Sequence, residues 1–157
     1  MDTELVPQIF DLLKKKGWMI ATAESCTGGL IGWALTDIPG SSEFVDRGFI
    51  TYSNEAKTEM LGVPADLIAQ HGAVSAEVAR AMAQGVLIKS RARVSVAVTG
   101  IAGPGGGTAE KPVGLVFIAL GIDGRTHVFE HRFSGERSDI RINTCTAALI
   151  HLLQVLS

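Results

Sequence analysis

Apolar positions along this chain switch between helical and strand periods, and the switches mark out its elements. Leu5, Ile9, Leu12 and Leu13 recur at helical spacing, and Gly17 predicts the stop of that first helix. Met19 to Ala23 reads as a buried strand. Helical character resumes from Thr27 to about Thr36 and ends before the Pro39-Gly40 turn. Val45 to Ser53 predicts a second strand, and Asn54 is placed to cap a short helix with Lys57 in its first turn. A turn-rich passage through Val63-Pro64 and His71-Gly72 leads to Ser75, a good N-cap. Val78, Ala79, Met82, Ala83, Val86 and Leu87 then line one helix face. Arg93 to Thr99 reads as a central strand. Val113 to Ile122 and Arg125 to Phe133 flank Asp123-Gly124, a two-residue hairpin signal. A last helix begins near Ser134-Gly135 and runs to about Leu156.

Helices alternating with strands, and a hairpin late in the chain, predict an α/β fold: a single three-layer α/β/α domain over residues 1–157, with a mixed sheet that includes the C-terminal hairpin. The length suits one domain, which buries about 70% of its unfolded surface. Hydrophobic residues at 46% and charged residues at 19% exclude a disordered chain. A formal net charge of −2 argues against a nucleic-acid partner, which asks for a basic excess. No apolar run approaches the roughly 20 residues that span a bilayer, so no membrane partner is expected. The acidic start Met1-Asp2-Thr3-Glu4 lacks the basic region of a secretion signal, and Cys26 and Cys145 lack metal or disulfide spacing. Reduced thiols in a cytoplasm are the expectation. His, Cys and carboxylate positions show no ligand spacing either, so neither metal nor other cofactor is expected.

Three segments carry candidate chemistry. Ser25, in Ala23-Glu24-Ser25-Cys26-Thr27-Gly28-Gly29, stands where a strand gives way to a helix, and backbone N–H groups of Cys26, Thr27 and Gly28 there can hold an oxyanion. No Ser-His-Asp arrangement and no Gly-x-Ser-x-Gly elbow accompany it. Lys57 is the better base, since burial lowers an amine's pKa, and Tyr52 is placed to relay the proton or orient the amine. Equally, Ser25 can be a mere cap and Lys57 a solvated helix residue. Cys26 is a rival nucleophile, because a thiol at a helix N-terminus can ionise readily. The loop Gly100 to Gly107 completes neither a Walker A nor a Gly-x-Gly-x-x-Gly pattern. Behind a central strand, its N–H groups (Gly103 and Gly105 among them) can still form an anion-binding concavity beside Thr99 and Gly100. Arg137 and Arg141, at i and i+4 near a helix start, suit a phosphate or else a surface ion-pair cluster with Glu136 and Asp139. Lys111 is a further candidate for substrate charge, and Glu24 for orienting Lys57 or Thr27.

Taken with Gly48 to Lys57, His71-Gly72-Ala73-Val74-Ser75, Thr99 to Pro104, Glu110-Lys111-Pro112-Val113-Gly114 and Gly135-Glu136-Arg137 with Arg141, the Ser25 segment resembles the CinA C-terminal domain family. That family includes nicotinamide mononucleotide deamidases. The resemblance implies a metal-independent amidohydrolase acting on a pyridine nucleotide, with Ser25 as nucleophile, Lys57 as base and Tyr52 assisting. It also implies a homo-oligomer, a dimer favoured, and puts Arg141 ahead of Arg137 as phosphate ligand. Some members are fused to an N-terminal domain resembling molybdopterin-binding proteins, which keeps a second reading: a nucleotide sensor or regulatory module without turnover. The lack of that domain here, together with Ser25, Tyr52 and Lys57, favours an independent enzyme.

Overall fold

A computed structural model describes residues 1–157. In chain order the elements are α1 (Leu5–Lys16), β1 (Ile20–Glu24), α2 (Leu30–Thr36), β2 (Val45–Ile50), α3 (Asn54–Leu61), α4 (Ala65–His71), α5 (Ala76–Ile88), β3 (Val94–Gly100), β4 (Leu115–Ile122), β5 (Arg125–Arg132) and α6 (Arg137–Leu156). The five strands form one mixed sheet in the order β2-β1-β3-β4-β5. β1 runs parallel to both β2 and β3, while β3–β4 and β4–β5 are antiparallel. The chain leaves β1 for β2 on one side and returns to pair β3 on the other. The carboxyl end of β1 is therefore a switch point, where α/β sheets open a crevice for ligands.

Strand alternation divides the core in two. Val94, Val96 and Val98 of β3 pack with α1, α2 and α6, whereas Ala97 packs with α4 and α5. The polar Ser95 faces the second layer and donates from Oγ to the Ala83 carbonyl of α5 at 2.8 Å. On β1, Ile20 belongs to the first layer and Ala21 and Ala23 to the second. The same alternation sends Glu24 toward α2 and the next residue, Ser25, toward α3. The layers are as expected, and so is the hairpin, whose Asp123 and Gly124 both take positive φ, +49° and +83°.

Four local expectations are corrected. α2 begins at Leu30 instead of Thr27, because Gly28 and Gly29 adopt left-handed backbone (φ +59° and +112°) and hold the preceding segment as a turn. β2 ends at Ile50 instead of Ser53, since the carbonyls of Thr51, Tyr52 and Ser53 turn to the Lys57 amine and leave the ladder. Ser53, not Asn54, caps α3, its Oγ accepting from the Ala56 N–H at 3.0 Å. The passage after Val63 contains α4, a short helix after Pro64 that buries only Ile68.

α6 packs against β5 through a histidine pair. His131 Nε2 lies 2.8 Å from His151 Nε2, with His151 stacked on Phe129 and His131 on Phe133. Burial pulls both imidazoles below their usual value of 6.5, and His131 lowers His151 further. The unfolded chain thus binds more protons than the folded one in that window. Stability from this contact is present above about pH 6.5 and is lost as pH falls through the lowered folded values. The urea midpoint should drop between pH 7.5 and 5.5, and His131→Gln should shrink the drop. An unchanged pH dependence in that variant would show the pair to be silent.

Candidate active site

The register of the parallel strands assembles the site. Glu24 at the end of β1 pairs with Ile50 at the end of β2, which sets Ser25 beside the Thr51–Ser53 segment. α3 follows that segment at once and folds back, so Lys57, in its first turn, returns its amine to Ser25. Lys57 is among the largest fully buried side chains, 1% exposed. Its Nζ contacts Ser25 Oγ at 3.0 Å and the carbonyls of Thr51 (2.9 Å), Tyr52 (3.2 Å) and Ser53 (3.4 Å). No carboxylate pairs with it, and burial lowers its pKa below the ordinary 10.5; Cys26 and Glu55 oppose that shift more weakly.

Four oxygens surround an atom that carries at most three protons. As an ammonium, Lys57 donates to three of them. As a neutral amine it donates two protons to carbonyls and turns its lone pair to Ser25 Oγ, which then becomes the donor. Ser25 has one alternative acceptor, the Tyr52 carbonyl at 3.4 Å. Lowering the pKa favours the second arrangement, in which the amine is a base aimed at a serine hydroxyl.

Ser25 and Lys57 line a cavity of about 290 Å³ with Cys26, Tyr52, Asn54, Ala73, Val74, Thr99 and Arg137. Gly100 to Gly103, Gly105 and Gly106 close one side. The N–H groups of Gly103, Gly105 and Gly106 make no hydrogen bond within the chain, and Gly103 and Gly106 have positive φ. Such a run of free donors suits an anionic or carbonyl-bearing ligand. Arg137 overlooks it, donating to the Gly103 carbonyl at 2.7 Å and to the Tyr52 hydroxyl at 3.1 Å.

Several residues lie elsewhere than their sequence positions suggest. The Tyr52 ring is 60% exposed and its hydroxyl meets Arg137; only its backbone carbonyl reaches Ser25 and Lys57. Lys111 is absent from the cavity wall, its Nζ donating to the His71 carbonyl and fastening the glycine loop to the end of α4. Thr99 lines the cavity, but its hydroxyl is engaged by the Ala73 carbonyl at 2.9 Å. Arg141 also stays outside the wall and donates to the carbonyls of Cys26 (3.1 Å) and Thr27 (3.0 Å). Glu24 orients Thr27 and not Lys57: its carboxylate accepts from Thr27 Oγ1 at 2.6 Å and from the Ile31 and Gly32 N–H groups. The donors at the start of α2 are thereby engaged, as is the Gly28 N–H by the Ser25 carbonyl. The N–H groups of Cys26 and Thr27 stay without an acceptor in the chain. Ala73 and Val74 were not foreseen as cavity wall; the only signal was their place in the His71–Ser75 segment.

These features define a three-layer α/β protein with a serine–lysine pair in a cavity at the strand switch point. Over residues 2–156 the chain matches the CinA C-terminal domain family, and it belongs to that family. It is 52% identical over 147 residues to the nicotinamide-nucleotide amidohydrolase PncC of Enterobacter agglomerans, covering 93% of this chain and 90% of that protein. It is also 52% identical to a CinA-like protein of Syntrophobacter fumaroxidans over 92% of its own length and 34% of the relative's. The chain thus spans about a third of the length of several curated relatives it matches. Among solved structures, the competence/damage inducible protein CihA of Agrobacterium tumefaciens superposes with a TM-score of 0.95 at 50% identity, covering 99% of this chain and 95% of that one.

Cys26 sits in the same wall, yet burial pushes its thiol up to about 11, with Glu24 adding to the shift. Held that far above the ordinary 9.0, the thiol is far less ionised at neutral pH than a free one. Iodoacetamide should accordingly modify Cys26 in the folded protein about a hundredfold more slowly than free cysteine at pH 7.5. Equal rates would restore the thiol as a rival nucleophile.

Proposed function

We propose that this chain is a nicotinamide-nucleotide amidohydrolase that converts nicotinamide mononucleotide to nicotinic acid mononucleotide and ammonia. The observation that carries the reading is the buried Lys57 amine, in no salt bridge with a carboxylate, 3.0 Å from Ser25 Oγ. The likeness to PncC over nearly both chains supplies the substrate class. Neutral Lys57 takes the Ser25 proton as Oγ bonds to the carboxamide carbon. The tetrahedral oxyanion is received by N–H groups of the Cys26–Thr27 turn. Protonated Lys57 then gives its proton to the departing nitrogen, and ammonia leaves an acyl-enzyme on Ser25. Water attacks that ester, losing a proton to Lys57, which returns it to Ser25 Oγ as the acid is released. Arg137 and the free donors of Gly103, Gly105 and Gly106 recognise the ribose phosphate, and Tyr52 braces Arg137 from the rim.

In this reading residues 1–157 act as one amidohydrolase unit in the cytoplasm, as a homo-oligomer of the kind the family resemblance implies. No helix of the chain is long and apolar enough to cross a membrane.

Ammonia release from nicotinamide mononucleotide after metal chelation, measured for wild type and Ser25→Ala, tests the assignment. Wild-type turnover should fall about a thousandfold or more in the variant with nucleotide binding retained. Full activity in Ser25→Ala would remove Ser25 as nucleophile. Binding without turnover by the wild type would favour a sensor.

The pH dependence tests the base. With its pKa lowered, Lys57 is neutral above a value lying below 10.5, so kcat/KM should rise with pH up to that value and then level. Lys57→Arg, which cannot lose its proton, should abolish turnover at every pH. A flat profile in the wild type would exclude a titrating amine.

A further inference from the structure

We infer that Arg141 and Glu24 are positioning residues, which grip the Ser25–Gly29 turn from its α6 and α2 sides and leave the N–H groups of Cys26 and Thr27 to receive the oxyanion. The inference rests on the amidohydrolase reading above and assigns Arg141 a role other than holding substrate.

Thr27 is 0% exposed, and each of its other polar groups has a partner. Its Oγ1 donates to Glu24, and its carbonyl accepts from Arg141 Nη2 and from the Leu30 N–H. Only its N–H makes no bond within the chain. The N–H of Cys26, which lines the cavity where Thr27 itself does not, is unpaired too. Buried backbone donors are almost always paired, so two successive orphans beside a reacting serine call for an acceptor that arrives with the reaction.

The flanking peptides fix where that N–H points. In a trans peptide the C=O of one residue and the N–H of the next point in opposite directions. Arg141 Nε holds the Cys26 carbonyl, which turns the Thr27 N–H away from α6. Arg141 Nη2 holds the Thr27 carbonyl, which turns the Gly28 N–H likewise, to the Ser25 carbonyl. One planar guanidinium thus sets two consecutive peptides. On the α2 side of the same layer, Glu24, itself 1% exposed, ties Thr27 Oγ1 to the first N–H groups of α2 and fixes the turn to the helix behind it. With Nε and Nη2 engaged by carbonyls, two of the three guanidinium nitrogens of Arg141 are already committed to the turn.

Steady-state kinetics on nicotinamide mononucleotide for Arg141→Lys, Arg141→Ala and Glu24→Gln, each checked by circular dichroism and thermal melting, test the grip. A lysine keeps the charge but donates from one nitrogen, without the planar fork that sets two peptides in fixed directions, and a glutamine side chain cannot accept from all three donors. Each variant should lose kcat by tenfold to about a hundredfold while KM stays within roughly threefold. Millimolar guanidinium should recover part of the Arg141→Ala loss. A KM raised tenfold or more with kcat intact would make Arg141 a substrate ligand and overturn the inference, and unchanged kinetics in folded Arg141→Lys and Glu24→Gln would do the same. Absence of ammonia release by the wild type would instead overturn the amidohydrolase reading, leaving the turn no oxyanion to serve.

Discussion

An amine buried without a counter-charge governs this structure. Removing an ammonium from water is costly unless it is paired, and Lys57 meets only a hydroxyl and three peptide carbonyls. Carbonyl dipoles soften that cost without cancelling it, so the site holds its lysine nearer to neutrality than solvent would. Local shape follows from this. β2 stops at Ile50 so that three successive carbonyls face inward, and α3 starts where it does so that its first turn brings the amine back. A carboxylate beside Lys57 would stabilise the charge and remove the base.

The nearest buried carboxylate sits in the other layer. Glu24 and Ser25 are adjacent in sequence, yet strand alternation sends one toward α2 and the other toward α3. The acid can organise the turn while the hydroxyl it precedes faces the amine. A one-residue slip of β1 would exchange the two environments, burying the acid against Lys57.

The layers and the hairpin were legible because they depend on periodicity and on Asp123-Gly124, whereas the Ser25–Lys57 pairing, which the residues alone left open to a plain cap and a solvated lysine, rested on the family resemblance. Strand order was not, since nothing local in β1 says that it pairs with both β2 and β3. α4 escaped notice because seven residues with one buried side chain carry almost no hydrophobic period, although Pro64 before it and Gly72 after it were start and stop signals. Lys111, Arg141 and the Tyr52 hydroxyl share a different reason. Each is a long side chain bonded to a partner 40 or more residues away, and such partners are set by the closed fold alone.

The fastening of the glycine loop bears on traffic through the cavity. The loop is tied at Ile101 to Leu115, at Gly103 to Arg137 and, through Lys111, to the end of α4. Swinging it open would break all three ties at once and pull on α4. The yielding part of the wall is the Tyr52–Arg137 rim, where an exposed ring meets an exposed guanidinium through a single 3.1 Å contact. Widening the rim asks only for the Tyr52 ring to change rotamer, a motion of picoseconds to nanoseconds for an exposed side chain, while Arg137 keeps its hold on Gly103. The door of this cavity is one surface ring, hung on a frame to which Arg137 itself belongs.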